Sequence, residues 1–204
     1  MSRTLNPFTS KRLIYRAVED NSDDEDFIHK IQRDAQAQSG SSASLLVPEN
    51  KKSSNKFKEY LLERALMSTI VCLPANTTDA TDAKPTPIGI IALKHIEKGG
   101  EQNRHSYISI DILDGYRGKG YGGEAIEWAL GYAFQMAGLH RVGIETFSHN
   151  TGAMQLYERL GFVLEGRKRE EIWFNGQWED YITYGMLENE WRDKMKREGR
   201  NWRE

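Results

Sequence analysis

Apolar positions along the chain follow two periods, and the change from one to the other marks out the elements. Residues 11 to 18, Lys-Arg-Leu-Ile-Tyr-Arg-Ala-Val, read as an opening strand. The acidic cluster from Asp20 to Asp26 suits the start of a helix whose apolar face begins with Phe27, Ile28 and Ile31. That periodicity fades into the small polar residues at 36 to 44, which read as loop, and the whole stretch 36–55 is expected to be mobile. A second helix is predicted from Lys56 to Met67, with Phe57, Tyr60, Leu61, Arg64 and Ala65 along one face, and a strand follows at 69 to 73. Residues 75–87, with their Thr, Asp and turn formers, read as an exposed and mobile hairpin loop.

From Ile88 the pattern is more regular. Ile88 to Ile96 is a strand candidate, and Tyr107-Ile108-Ser109-Ile110-Asp111-Ile112 alternates with period two, predicting a strand that ends near Leu113. Ala125, Ile126, Trp128, Ala129, Leu130, Tyr132, Ala133 and Met136 form an almost wholly apolar helix, predicted to be buried and terminated by Gly138. Val142 to Phe147 supplies another strand and Asn150 to Leu160 another helix. Phe162 to Phe174 then pairs with Trp178 to Leu187 across an Asn175-Gly176 hairpin turn. The charged tail, 188–204, carries Trp191, Met195 and Trp202 at helical spacing and reads as a surface helix.

Composition narrows the function classes. At 204 residues the chain suits one domain, 1–204, with a single core. Its 28 Lys+Arg and 30 Asp+Glu nearly cancel, so no nucleic acid or anionic membrane is expected as a partner. One cysteine, Cys72, cannot close an internal disulfide, and the first residues lack an apolar run of signal-peptide length. A cytoplasmic protein is therefore expected, with a nuclear one not excluded. No window approaches the run of about twenty apolar residues that spans a bilayer.

The chemistry concentrates after the alternating strand. Tyr116-Arg117-Gly118-Lys119-Gly120-Tyr121-Gly122-Gly123 lies between a strand and a helix, where free backbone N–H groups and the helix dipole favour an anion. Its glycines open the backbone to a pyrophosphate, and Arg117 and Lys119 add positive charge. A plain strand-to-helix turn would read the same way. A kinase-type loop is absent because Gly120, not Ser or Thr, follows Lys119. Gly118, Gly120 and Gly123 do satisfy G-x-G-x-x-G, with Glu145 at the distance a dinucleotide-binding fold requires. That fold repeats strand-helix-strand units, however, whereas the single unit here runs into a hairpin.

With Arg117-Gly118-Lys119-Gly120-Tyr121-Gly122 matching Arg/Gln-x-x-Gly-x-Gly/Ala, the sequence resembles the GNAT superfamily of N-acetyltransferases. Two further motifs agree: Asn150 is followed seven residues on by Tyr157, and Leu160-Gly161-Phe162 comes next. The hairpin from Glu165-Gly166-Arg167 to Tyr184-Gly185-Met186 looks like the branch containing ribosomal-protein and spermidine acetyltransferases. The resemblance covers residues 88 to 190 closely.

It implies an α/β fold, a mixed, largely antiparallel sheet with helices on both faces, splayed in the middle where coenzyme enters. It also implies acetyl-CoA as cosubstrate and direct transfer to a primary amine of a small molecule or a peptide N-terminus. Backbone groups of Ile110 and Ile112 would pair with the pantetheine arm, and Arg117, Gly118, Lys119, Gly120, Tyr121 and Gly122 would take the pyrophosphate. Asn150 would bond the pantetheine or a water beside it, or serve as a helix N-cap, and the two roles are compatible. Tyr157 would protonate the leaving thiolate. Asp111 points opposite to Ile110 and Ile112 and faces either the acceptor cleft, as a base, or water. His105 and Tyr107 precede it, with no Glu where some relatives carry a carboxylate. Glu170, Glu171, Glu179 and Asp180, near the cleft rim, would attract a cationic amine or be merely solvated. No metal is expected, and a homodimer stays open. The competing readings are a non-catalytic acyl-CoA-binding regulatory module and a dinucleotide-binding protein.

Overall fold

The computed structural model describes residues 6–75 and 84–200, in seven strands and six α-helices. The strands are β1 (Ile14–Arg16), β2 (Met67–Leu73), β3 (Thr86–Leu93), β4 (His105–Ile112), β5 (Arg141–Phe147), β6 (Val163–Phe174) and β7 (Gln177–Leu187). The helices are α1 (Ser22–Gln32), α2 (Ala35–Ser41), α3 (Lys51–Glu63), α4 (Tyr121–Gln135), α5 (Thr151–Leu160) and α6 (Glu188–Arg197).

One sheet runs in the order β1-β2-β3-β4-β5-β7-β6. Every neighbouring pair is antiparallel except β4 and β5, which run parallel. A single parallel step leaves no second strand-helix-strand unit, so the dinucleotide-binding reading of G-x-G-x-x-G fails on topology. The sheet is the mixed, largely antiparallel one the sequence predicts.

Period-two alternation puts an apolar set on each face of the sheet. On one face Val71, Ile91, Ile108, Val142, Ile144 and Ile182 pack against the apolar stripes of α4, α5 and α6. On the other, Ile70, Cys72, Ile90 and Ala92 meet Phe27, Ile28 and Ile31 of α1 and Leu61 of α3. Tyr15 of β1 stacks on Trp128 of α4 at 3.7 Å, and the Trp128 indole N–H donates to the Pro7 carbonyl. Asn175 and Gly176, both at positive φ, make the expected hairpin turn, with Trp173 opposite Trp178.

β4 and β5 pair only from His105 with Arg141 to Ile108 with Ile144. Beyond that point β4 stays paired to β3 as far as Ile112 and Gly89, and β5 to β7 as far as Phe147 and Tyr181. The two parallel strands therefore part in the middle of the sheet, leaving the ends of both with one free edge each.

Several boundaries differ from the sequence reading. The stretch 36–55 is not loop throughout, since it contains most of α2 and the first turn of α3. Asp34 caps α2 and Asn50 caps α3 through their side-chain oxygens, so both starts are set by capping rather than by an apolar face. Because α2 buries none of its residues, it has no hydrophobic periodicity to read. α3 begins five residues before the expected Lys56 and ends at Glu63. The C-terminal helix ends at Arg197 and is anchored by buried Trp191, 5.5 Å from Phe134, rather than lying wholly on the surface. Of the expected loop at 75–87, residues 76–83 lie outside the described residues, as does Trp202.

Candidate active site

The parting of β4 and β5 opens a cavity of about 290 Å³. Of the residues singled out in the sequence, Ile110, Asp111, Ile112, Arg117, Gly122, Asn150 and Tyr157 line it, while Gly118, Lys119, Gly120 and Tyr121 form the turn between two of these. Among the described residues no helix is long and apolar enough to cross a membrane, and no group of three or more His, Cys, Asp or Glu could hold a metal ion.

The glycine-rich turn ends on α4, whose N-cap is Gly120 at φ 81° with no side-chain cap. The first-turn N–H groups of α4 thus have no intrahelical partner and sit at the positive end of the helix dipole. Gly118 at φ 71° and Gly120 hold a left-handed backbone that a Cβ would strain. The two basic side chains, by contrast, point elsewhere. Arg117 Nε donates to the Ile112 carbonyl at 2.8 Å and its terminal nitrogens bond Gln36 and Asp34. Lys119 Nζ donates to the Gly115 carbonyl at 2.6 Å, over the Tyr116 ring. Backbone, not these side chains, faces outward at the helix start.

Asn150 is the N-cap of α5, its Oδ1 accepting from Ala153 N at 3.2 Å, and it also lines the cavity. The capping and cavity-facing roles therefore coexist in one side chain. Two helical turns on, Tyr157 packs its ring against Phe162 and, edge to face, against Tyr184. Burial, and then the charge of Asp111, push its phenol well above the usual range, so the hydroxyl stays protonated. Asp111 faces the cavity rather than bulk water. Burial pushes its carboxyl up to about 6, against the opposing pull of Ser41 and Arg117. A base that ionises near neutrality and a hydroxyl that does not thus share one cavity.

Other lining residues were not legible in the sequence. Glu145 on β5 borders the cavity and takes an ion pair at 3.0 Å from Lys94, at the end of β3. In sequence it figured only in the rejected dinucleotide pattern, because its place at the cavity depends on the parallel step between β4 and β5. Gln36, Ala37, Gly40 and Ser41 of α2 also line it. The one advance signal for α2 was Asp34 ahead of a run of Ala and Gln.

None of the four hairpin acids lines the cavity, and the carboxylates of three of them are engaged within the fold. Glu179 is buried beside Ser148 and bonded to Gln177, Asp180 pairs with Arg167 and accepts the Glu170 N–H, and Glu171 pairs with Lys168. His105 and Tyr107 pack edge to face, with Tyr107 against Gly143, and neither lines the cavity.

Comparison with known proteins bears on this geometry. The family model of the acetyltransferase (GNAT) family matches residues 31–162. Spermidine N(1)-acetyltransferase of Vibrio cholerae is 31% identical over 115 residues, covering 56% of this chain and 65% of that protein. The [ribosomal protein uS5]-alanine N-acetyltransferase of Escherichia coli is 28% identical over 105 residues, covering 51% of this chain and 53% of that protein. The chain thus matches between about half and two thirds of the length of these curated relatives. The crystal structure of the Vibrio cholerae spermidine N-acetyltransferase in complex with CoA and spermine superposes with a TM-score of 0.74 at 25% identity, covering 90% of this chain and 99% of that one.

Proposed function

Because the chain belongs to the acetyltransferase (GNAT) family, we propose that it transfers the acetyl group of acetyl-coenzyme A directly to a primary amine of a small molecule or a peptide N-terminus. The observation that carries this reading is the cavity between β4 and β5, which holds Asp111, Asn150 and Tyr157 together beside the uncapped start of α4.

The anionic diphosphate suits the N–H groups at Gly120 to Gly122. The free edge of β4 at Ile110 to Ile112, where the Ile112 carbonyl already accepts from Arg117, offers its remaining backbone groups to the amide-bearing pantetheine arm, as an added strand would use them. One N–H there would stabilise the oxyanion that develops on the thioester carbonyl.

Asp111, directly or through a water, takes a proton from the ammonium, and the neutral nitrogen attacks the thioester carbon. A C–N bond forms and the C–S bond breaks, with Tyr157 giving its proton to the departing sulfur. The products are the N-acetylated amine and coenzyme A; the nitrogen sheds its second proton to solvent as the amide forms, which restores the Tyr157 phenol, and Asp111 releases its own proton to solvent. The ionised Asp111 carboxylate offers the acceptor side a negative charge that suits a cationic amine, Glu145 being already paired with Lys94. Amines are also the acceptors named for the two relatives, spermidine in one and the alanine of a ribosomal protein in the other.

Thiol release from acetyl-coenzyme A across a panel of polyamines, amino acids, amino sugars and peptides tests the reading. Release coupled to one acceptor class, with the acetyl group on nitrogen by mass spectrometry, is expected. Tight binding of coenzyme A with no transfer to any amine would leave a non-catalytic module in its place.

A further inference from the structure

α2 is a seven-residue helix that buries no side chain, yet it roofs the cavity with Gln36, Ala37, Gly40 and Ser41. Isolated helices shorter than about twelve residues are marginal in water, and α2 has no apolar stripe to dock. Its position therefore rests on polar contacts at its two ends. At the C-terminal end the His149 ring donates from Nε2 to the Ser39 carbonyl at 2.9 Å. Gly40 lies so close to Asn150 that a Cβ there would come within 2.7 Å of its Nδ2. At the N-terminal end the contact is with the glycine-rich turn: Arg117 pairs with Asp34 and donates to Gln36 at 3.2 Å.

Asp34 divides its carboxylate between two tasks. Oδ1 accepts the N–H groups of Gln36 and Ala37, each at 3.1 Å, and so caps α2. Oδ2 takes the Arg117 guanidinium, whose Nε is held by the carbonyl of Ile112 at the end of β4. Both side chains are largely withdrawn from water, 28% and 17% exposed, so the pair is less screened than a surface one.

We propose that Arg117 and Asp34 are positioning residues that latch α2 to the coenzyme loop, so that filling the loop orders the roof over the acceptor. The side chain of Arg117 thereby acts on the acceptor side of the cavity, while its backbone stays part of the turn. The inference rests on the functional reading above in taking coenzyme A as the ligand of the turn. Linkage then requires that whatever the coenzyme does to α2, an ordered α2 does to coenzyme affinity in the same measure.

Asp34→Asn separates the two tasks, because an Asn oxygen still caps the helix while the ionic half of the latch is lost. Amide exchange of residues 35 to 41 in the full chain, with and without saturating coenzyme A, reads the effect. In the wild type, coenzyme A is expected to slow exchange in α2 by about fivefold or more. In Asp34→Asn that slowing should vanish, with protection in α1 and α3 unchanged and coenzyme still bound. Arg117→Lys, which keeps the charge but not the planar fork, should behave likewise. Coenzyme A that binds the wild type but slows α2 exchange equally in wild type and Asp34→Asn overturns the latch alone. Failure of the wild type to bind coenzyme A, measured by calorimetry on the same samples, overturns the functional reading and the latch together.

Discussion

Asp111 carries two opposed consequences of its burial. Raised to about 6, its carboxyl is ionised at neutral pH and able to accept a proton, but the ionised form is held in a poor solvent. Below about pH 4 it is protonated in folded and unfolded chain alike and has no effect on stability. Between about 4 and 6 the folded chain keeps a proton that the unfolded chain releases, so stability falls as pH rises. Above about 6 the full cost persists, on the order of 3 kcal/mol. Asp111→Asn should therefore raise the melting temperature at neutral pH, by an amount that fades toward pH 4, while lowering transfer by about a hundredfold. Thermal denaturation across pH, set beside rates on the same protein, checks both signs. The acid limb of the wild-type pH–rate profile, falling below about pH 6, should disappear in the variant.

Tyr157 invites a cleaner substitution, because Phe keeps the ring packed against Phe162 and Tyr184 and removes only the hydroxyl. Tyr157→Phe is expected to lower turnover by about a hundredfold with coenzyme affinity unchanged, the signature of a group that acts in the transition state. Single-turnover rates with a verified acceptor decide it, and full turnover would make the tyrosine a packing residue.

Among the elements, the start of α4 has the plainest local logic: Gly120 is both its N-cap and a residue at φ 81°. Gly120→Asp would put negative charge where the diphosphate is to sit, but it would also strain the backbone. Gly138→Asp supplies the control, since Gly138 has φ 65° and lies beyond the far end of the same helix. Calorimetry with coenzyme A should show weaker binding for Gly120→Asp by at least about tenfold, with Gly138→Asp close to wild type. Comparable losses in both would mark the effect as strain alone.

Elements differ in how much of themselves the sequence displays. α4 and β4 were legible because burial writes a period into their apolar residues, and the hairpin because Asn175-Gly176 is demanded by positive φ. α2 was not, since it buries nothing and is fixed by Asp34, Arg117 and His149 from other parts of the chain. The direction of the Arg117 side chain was hidden for the same reason: its partner Asp34 lies 83 residues away. The connection from 42 to 50, outside both helices, keeps the expectation of mobility. Amide exchange there should be faster than in α3, and equal protection in both would show it to be packed.

At the scale of the whole molecule the site exists because one parallel step sits in an otherwise antiparallel sheet. β4 and β5 pair over His105 to Ile108 and then part, so one cavity reaches both faces of the sheet. The motifs at Arg117 to Gly122 and Asn150 to Tyr157 could be read in the sequence, and the fold brings them to one cavity. Glu145, Lys94 and α2 joined that cavity only once the strands were placed, because they come from elements distant in sequence.

Under the proposed function this cavity moves an acetyl group from sulfur to nitrogen. Mass analysis of an amine panel incubated with acetyl-coenzyme A and the wild-type chain, beside Tyr157→Phe and Asp111→Asn, tests it most directly. One acetyl group gained on nitrogen by one class of primary amine is expected, with matching coenzyme A release and strongly reduced product with either variant. Absence of acetylated amine from a wild type that binds coenzyme A, or equal product from all three proteins, would contradict it.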